Sequence, residues 1–146
     1  MKKIFTTIIV LALALVLLSL VNKQDDPWKV PDRYEKLKNP VVADDASVSF
    51  GKELYNSYCL SCHGKDGKGT GSRGEKLDTH PSDFTSMVFQ KQTDGALLYK
   101  IYFGHKDMPG FKKKMPGHES AVEGTFEKSR VPGDLINFLR TFGTKD

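Results

Sequence analysis

An almost unbroken apolar run occupies residues 4–21, interrupted only by Thr6, Thr7 and Ser19 and preceded by Lys2 and Lys3. A membrane-crossing helix needs about 17–25 such residues, and a secretory leader has the same basic-then-apolar order. The residues before Asn22 are Ser19, Leu20 and Val21, a poor match to a small-x-small cleavage signal. The pattern therefore predicts an uncleaved N-terminal transmembrane helix over residues 1–21, basic end in the cytoplasm and the remainder exported. Residues 22–46 then turn polar. Asp25, Asp26, Asp44 and Asp45 favour solvent, while Pro27, Pro31 and Pro40 disfavour helix and predict an extended arm. Trp28 and Tyr34 are its apolar exceptions, and the expectation is that they anchor the arm across the following domain.

Amphipathic patterning begins near Ser47. Ser47 or Ser49 is the expected cap, and Phe50, Leu54, Tyr55 and Tyr58 recur at the steps of one helical face. Gly51 lies on the same side, where it would admit another helix closely. A second helix is predicted from Asp94, with Ala96, Leu97, Leu98, Ile101 and Tyr102 as its apolar face and Gly104 as its stop. The last is predicted over 132–142, with Pro132 in its first turn and Leu135, Ile136, Phe138, Leu139 and Phe142 as its stripe. Glycines at 64, 67, 69, 71 and 74 exclude regular structure and are expected to let backbone pass close to a flat ligand. Residues 105–130 read as loop. No run alternates as a strand does, and no repeat is present, so the prediction is one small all-α domain over residues 47–146.

The chain has two cysteines, and both fall in Cys59-Leu60-Ser61-Cys62-His63. A C-x-x-C-H run is an attachment motif for c-type haem. Two thiols on one turn of chain can each add to a haem vinyl group, and the adjacent imidazole then lies under the iron as proximal ligand. A closed zinc site would need four ligands, and no second Cys/His pair stands at a suitable spacing. A redox dithiol does not require the histidine and belongs beside a βαβ pattern. A disulfide suits an exported chain but leaves His63 and the glycines after it unexplained. The expected cofactor is one covalent haem c with its iron, held by Cys59 and Cys62 with His63 as an axial ligand. Its apolar surface would enlarge a small core. The net charge of +4, two units of it from Lys2 and Lys3, does not point to nucleic acid. No base, nucleophile or paired carboxylate beside the motif suggests a small-molecule substrate, so no catalytic residue is expected.

Further signals follow in order: Asp83-Phe84-Thr85, then Thr93-Asp94-Gly95 before a helix, then Met108-Pro109 within residues 104–111, then the terminal amphipathic helix. With the motif, this order resembles the class I c-type cytochromes, single-haem electron carriers, over residues 47–142, and the arm resembles that of membrane-attached members. The resemblance implies Met108 as distal axial ligand. Met115 is also followed by Pro-Gly and is the alternative; a histidine is the third possibility, with His80, His105 and His118 otherwise expected to face solvent. The resemblance also implies that Phe50 and Gly51 pack against Phe138 or Leu139 where the first and last helices cross. Many relatives carry a proline about nine residues beyond the haem histidine, whose carbonyl accepts from the other ring nitrogen. Ser72 stands there instead, and residues 116–130 are longer than the family usually spends.

The implied function is an electron carrier rather than an enzyme, shuttling one electron between respiratory-chain partners on the outer face of the bacterial cytoplasmic membrane. Two other readings stay open: a haem-bearing subunit of a larger oxidoreductase, and a gas sensor or oxidase with a displaceable distal ligand. Lys65, Lys68, Lys106, Lys112, Lys113 and Lys114 lie in loops expected to rim the haem. There they would steer an acidic docking surface on a redox donor or acceptor, or simply be solvated.

Overall fold

A computed structural model describes residues 28–116 and 130–144. The apolar run of residues 4–21, Pro27 and His118 lie outside that range. No helix among the described residues is long and apolar enough to cross a membrane. The described elements are α1 (Asp32–Glu35), α2 (Asp45–Tyr58), α3 (Leu60–His63), α4 (Met87–Gln90), α5 (Asp94–Phe103) and α6 (Val131–Arg140), with short 3-10 turns at Gly74–Lys76 and Thr141–Thr144. Among these residues there is no strand beyond a single bridge between His105 and Met108, in keeping with the all-α prediction.

The crossing of α2 and α6 sets the frame. A Cβ at Gly51 would overlap the Asp134 carbonyl and come within 2.8 Å of the Phe138 Cβ, so only glycine lets the backbones approach this closely. Leu54, Tyr55, Leu135, Ile136 and Leu139 fill the core around that contact. Phe50, predicted to share it, is 39 % exposed instead. Its position beside the glycine, about 100° around the helix, turns it to the rim. The start of α2 is capped by Asp44, which accepts from the Ser47 amide at 2.8 Å, rather than by Ser47 or Ser49. Ser47 is buried and takes a different task, accepting from Asn137 Nδ2 at 2.9 Å.

Helix α5 follows its sequence pattern closely: Thr93 Oγ1 accepts from the Ala96 amide, and Gly104 ends the helix at φ 66. Helix α6 ends at Arg140, short of the predicted 142, and the chain tightens into the 3-10 turn. Arg140 explains part of this. Its guanidinium donates to the Gln90 and Gln92 carbonyls and to Asp94 Oδ1 at 2.8, 2.7 and 2.6 Å, tying the end of α6 to the α4–α5 connection.

The arm does lie across the domain on Trp28 and Tyr34, but it is not extended throughout. Pro31, with extended backbone, starts the one-turn helix α1, because a proline at a helix start loses no hydrogen bond. Tyr34 is fully buried against Tyr99 and Phe103, and its carbonyl sits where a side chain on Gly95 would be. Trp28 stacks on His105 with centroids 5.1 Å apart. At the other end Asn39 Nδ2 donates to the Gly133 carbonyl and to Asn137 Oδ1 at 2.9 and 2.8 Å. Asn137 Nδ2 in turn donates to the Val41 carbonyl at 3.1 Å.

Candidate haem site

Helix α2 gives way at Cys59, where φ is −115° and ψ is −33°, and α3 supplies one further turn. The Cys59 carbonyl accepts from the amides of Cys62 and His63 at 3.1 and 2.9 Å, so both cysteines and the imidazole leave the same turn. Gly64 ends it at φ 76, and Tyr55 Oη donates to the Gly64 carbonyl at 2.6 Å. The last carbonyls of such a turn need donors from elsewhere. The glycine-rich loop provides them: the amides of Arg73, Gly71 and Gly69 reach the carbonyls of Ser61, Cys62 and His63 at 2.9, 3.1 and 3.0 Å. A side chain on Gly71 would overlap the Ser61 carbonyl, and one on Gly74 the Cys62 carbonyl. Gly71 and Gly74 thus make room for the backbone of the motif itself, while Gly67 faces the Phe142 ring and Gly69 the Pro81 carbonyl and His80.

His63 is 8 % exposed and stacks on Phe84 at 4.3 Å, nearly parallel. Its Nδ1 lies 3.4 Å from the Ser82 carbonyl. Ser72, suggested by spacing, does not hold this place, because residues 69–74 are spent on the motif backbone and the chain reaches the ring only at 82–84. The Phe84 amide fixes that second pass by donating to the Gly67 carbonyl at 2.7 Å. A carbonyl only accepts, so Nδ1 carries the proton and Nε2 is the nitrogen left for a metal. Burial lowers the histidine's pKa, opposed by the Ser82 contact, and so favours the neutral ring that metals bind. Burial first, and the neighbouring Cys62 second, push the Cys59 thiol up to about 12.

Met108 sits on a tight hairpin after α5. His105 and Met108 exchange backbone hydrogen bonds, amide to carbonyl, at 2.9 Å in both directions. Lys106 takes a left-handed φ of 51° at its tip. Asp107 Oδ2 accepts from the Thr79 amide at 2.9 Å. A side chain on Gly104 would overlap the Met108 carbonyl. The amides of Phe111 and Lys112 then return to the Ile101 and Tyr102 carbonyls, at 2.9 and 3.2 Å, and so close the end of α5. Phe111 meets Tyr58, the residue before Cys59, with ring centroids 6.0 Å apart. Cys59 and Met108 border the same core cluster, Met108 half-buried at its edge and Met115 inside it at 3 % exposure. His80 is exposed, its Nδ1 beside the Pro81 carbonyl at 2.8 Å. His105 departs from the expectation of a solvent-facing ring: it stacks on Trp28, and its Nε2 is buried without a partner among the described residues.

A family model described as cytochrome c oxidase, cbb3-type, subunit III matches residues 46–121, just over half of the chain. The chain belongs to that family of c-type cytochrome domains. No curated protein matches it. The match spans the motif, the glycine-rich loop, α4, α5 and both Met-Pro-Gly sequences. A c-type cytochrome domain carries haem c with its iron, covalently held, and its chemistry is electron transfer. The donor set fits this group: two cysteines on one turn, and a buried imidazole whose Nδ1 meets the Ser82 carbonyl and whose burial favours the neutral form. Ser82 and Phe84 were missed as site residues, although Asp83-Phe84-Thr85 had marked the neighbourhood. Neither a carbonyl's role nor a ring stack has a sequence signature.

Proposed function

We propose that this domain is a single-haem electron carrier attached through Cys59 and Cys62, with His63 and Met108 as axial ligands. It would be held by residues 1–21 to the outer face of the bacterial cytoplasmic membrane and exchange electrons with respiratory redox proteins. The observation that carries the reading is the hairpin. Reciprocal His105–Met108 hydrogen bonds present one methionine at the core edge, and the chain then runs to Phe111, whose ring meets Tyr58 next to the motif. Met115, by contrast, is spent as core filling. Haem with His/Met ligation supplies a one-electron couple biased toward ferrous iron. The chain's part is to hold the ring of His63 through Ser82 and Phe84, and to keep Met108 at a fixed place. Both axial positions would then be taken by protein, which suits electron transfer better than binding of a gas or peroxide.

The test is a pair of variants. The oxidised protein should show the weak near-infrared sulfur-to-iron charge-transfer band, Met108→Ala should lose it, and Met115→Ala should keep it. The opposite pattern moves the role to Met115, and survival in both moves it to a histidine. A second reading, a haem-bearing subunit of a larger complex, is favoured by the family description, which names an oxidase subunit. Stable co-purification with further subunits in mild detergent would select it.

Docking by lysine is part of the same proposal. Lys112 Nζ lies 5.8 Å from the Phe103 centroid and Lys114 Nζ 5.7 Å from that of Phe111, which gives the positive patch a defined place beside the Met108 hairpin. Reversing Lys112, Lys113 and Lys114 to glutamate should slow electron exchange with an acidic partner roughly ten-fold at low ionic strength, the gap closing as salt is added. Stopped-flow rates at several salt concentrations check this, and salt-independent equality with the unaltered protein would remove the patch from docking. Some stability should also be lost, about 0.5–1 kcal/mol for each exposed cation–aromatic contact.

A further inference from the structure

We propose that Trp28, in the arm, is a positioning residue for the distal ligand: it clamps the Met108 hairpin shut from outside the haem domain's main helices. The inference rests on the reading of Met108 as that ligand. Trp28 stacks on His105 with centroids 5.1 Å apart and planes 25° from parallel. Lys100 Nζ stands 5.3 Å from the same indole, so the ring bridges α5 and the hairpin. His105 is the hairpin residue whose amide and carbonyl both bond to Met108. Displacing His105 therefore displaces Met108.

Among the described residues the His105 side chain makes no hydrogen bond and no other ring stack. Its Nε2 is buried with no hydrogen-bond partner, a costly state that persists only where packing enforces it. The stack with Trp28 is the ring contact in that packing. The indole is itself presented from a fixed platform, since Tyr34 is fully buried and Asn39 is bonded to α6. Of the hairpin's other tethers, the Phe111 and Lys112 amides bond to α5 beyond Met108, and Asp107, which accepts from the Thr79 amide at its tip, does so at the exposed surface. A hairpin with an open and a closed arrangement binds an external ligand in proportion to its open fraction, and the clamp lowers that fraction.

The experiment uses the full-length, haem-loaded protein in detergent, with imidazole as the competing ligand for oxidised iron. Trp28→Ala should bind imidazole about ten-fold more tightly than the unaltered protein, the scale of one aromatic stack plus one cation–aromatic contact. Trp28→Phe, which keeps a ring on His105, should restore most of the original affinity. A merely structural role would lower the melting temperature and leave imidazole affinity unchanged at 25 °C. Unchanged affinity in Trp28→Ala, with the charge-transfer band still lost in Met108→Ala, overturns the clamp and leaves the ligand reading standing. A band that survives Met108→Ala overturns the ligand reading and the clamp together. Should Trp28→Ala fail to load haem, His105→Ala removes the other half of the stack and is judged by the same two outcomes.

Discussion

Gly51→Val is expected to prevent the domain from closing. The first carbon added at this position overlaps the Asp134 carbonyl and crowds the Phe138 Cβ. Neither obstacle is the flexible tip of a side chain: one is α6 backbone and the other is fixed to it. Helices α2 and α6 would have to part, loosening Leu54, Tyr55, Leu135, Ile136 and Leu139, all of them buried. Overpacking in a yielding core costs about 1–3 kcal/mol; against backbone, with the core opened as well, we expect about 4 kcal/mol or more. That is a large share of the roughly 5–15 kcal/mol by which domains are stable. Gly51→Ala should fall between, because about 1 kcal/mol of helix propensity offsets part of its clash. Thermal unfolding of the haem-loaded protein measures both. A valine variant melting within a few degrees of the unaltered chain would mean that the crossing is not the frame of the fold.

Asn137→Leu should have the second-largest effect, through polarity rather than volume. The amide accepts from Asn39 and donates to Val41 and Ser47, while Asn137 is 8 % exposed and Ser47 1 %. Leucine fills nearly the same space but leaves the buried Ser47 hydroxyl and the half-buried Val41 carbonyl unanswered, at about 1–3 kcal/mol for each group that finds no substitute, while Asn39 keeps its bond to the Gly133 carbonyl. We expect about 3 kcal/mol in total, with a local signature: faster amide exchange and proteolysis around residues 39–44, ahead of α5. A double-mutant cycle with Asn39→Ala isolates the direct contact. Additive losses would show that the two amides stabilise the domain separately and not as a network.

The elements that could be read in the sequence are those whose own residues determine them. Thr93 caps α5 and Gly104 stops it by local geometry, and the periodic stripe of Leu135, Ile136 and Leu139 announced α6. The cysteine pair and histidine are legible because covalent chemistry demands adjacency. Where prediction failed, a distant partner decided. Asp44 rather than Ser47 caps α2 because Asn137 claims the serine hydroxyl. Phe50 fits the periodic face, yet the glycine next to it marks the line of contact. Helices α1 and α4 have four residues each, too few for a period to show. Ser82 faces His63 only because the loop has already doubled back once, and His105 is covered by an arm 77 residues earlier in the chain.

The pairing of α2 with α6 has a consequence for the order in which the chain comes into being. Gly51, Ser47 and Asn39 find their counterparts at residues 133–138, more than eighty residues further along the chain. Such distant partners make closure a late, slow step, because the intervening loop must be gathered before any of these contacts forms. A nascent chain therefore carries its cysteine motif on a helix that does not yet have α6 to lean on. It stays pliable until residues 131–140 have emerged, and a stop codon between residues 64 and 131 would leave a polypeptide with the attachment sequence complete and no α6 to hold it.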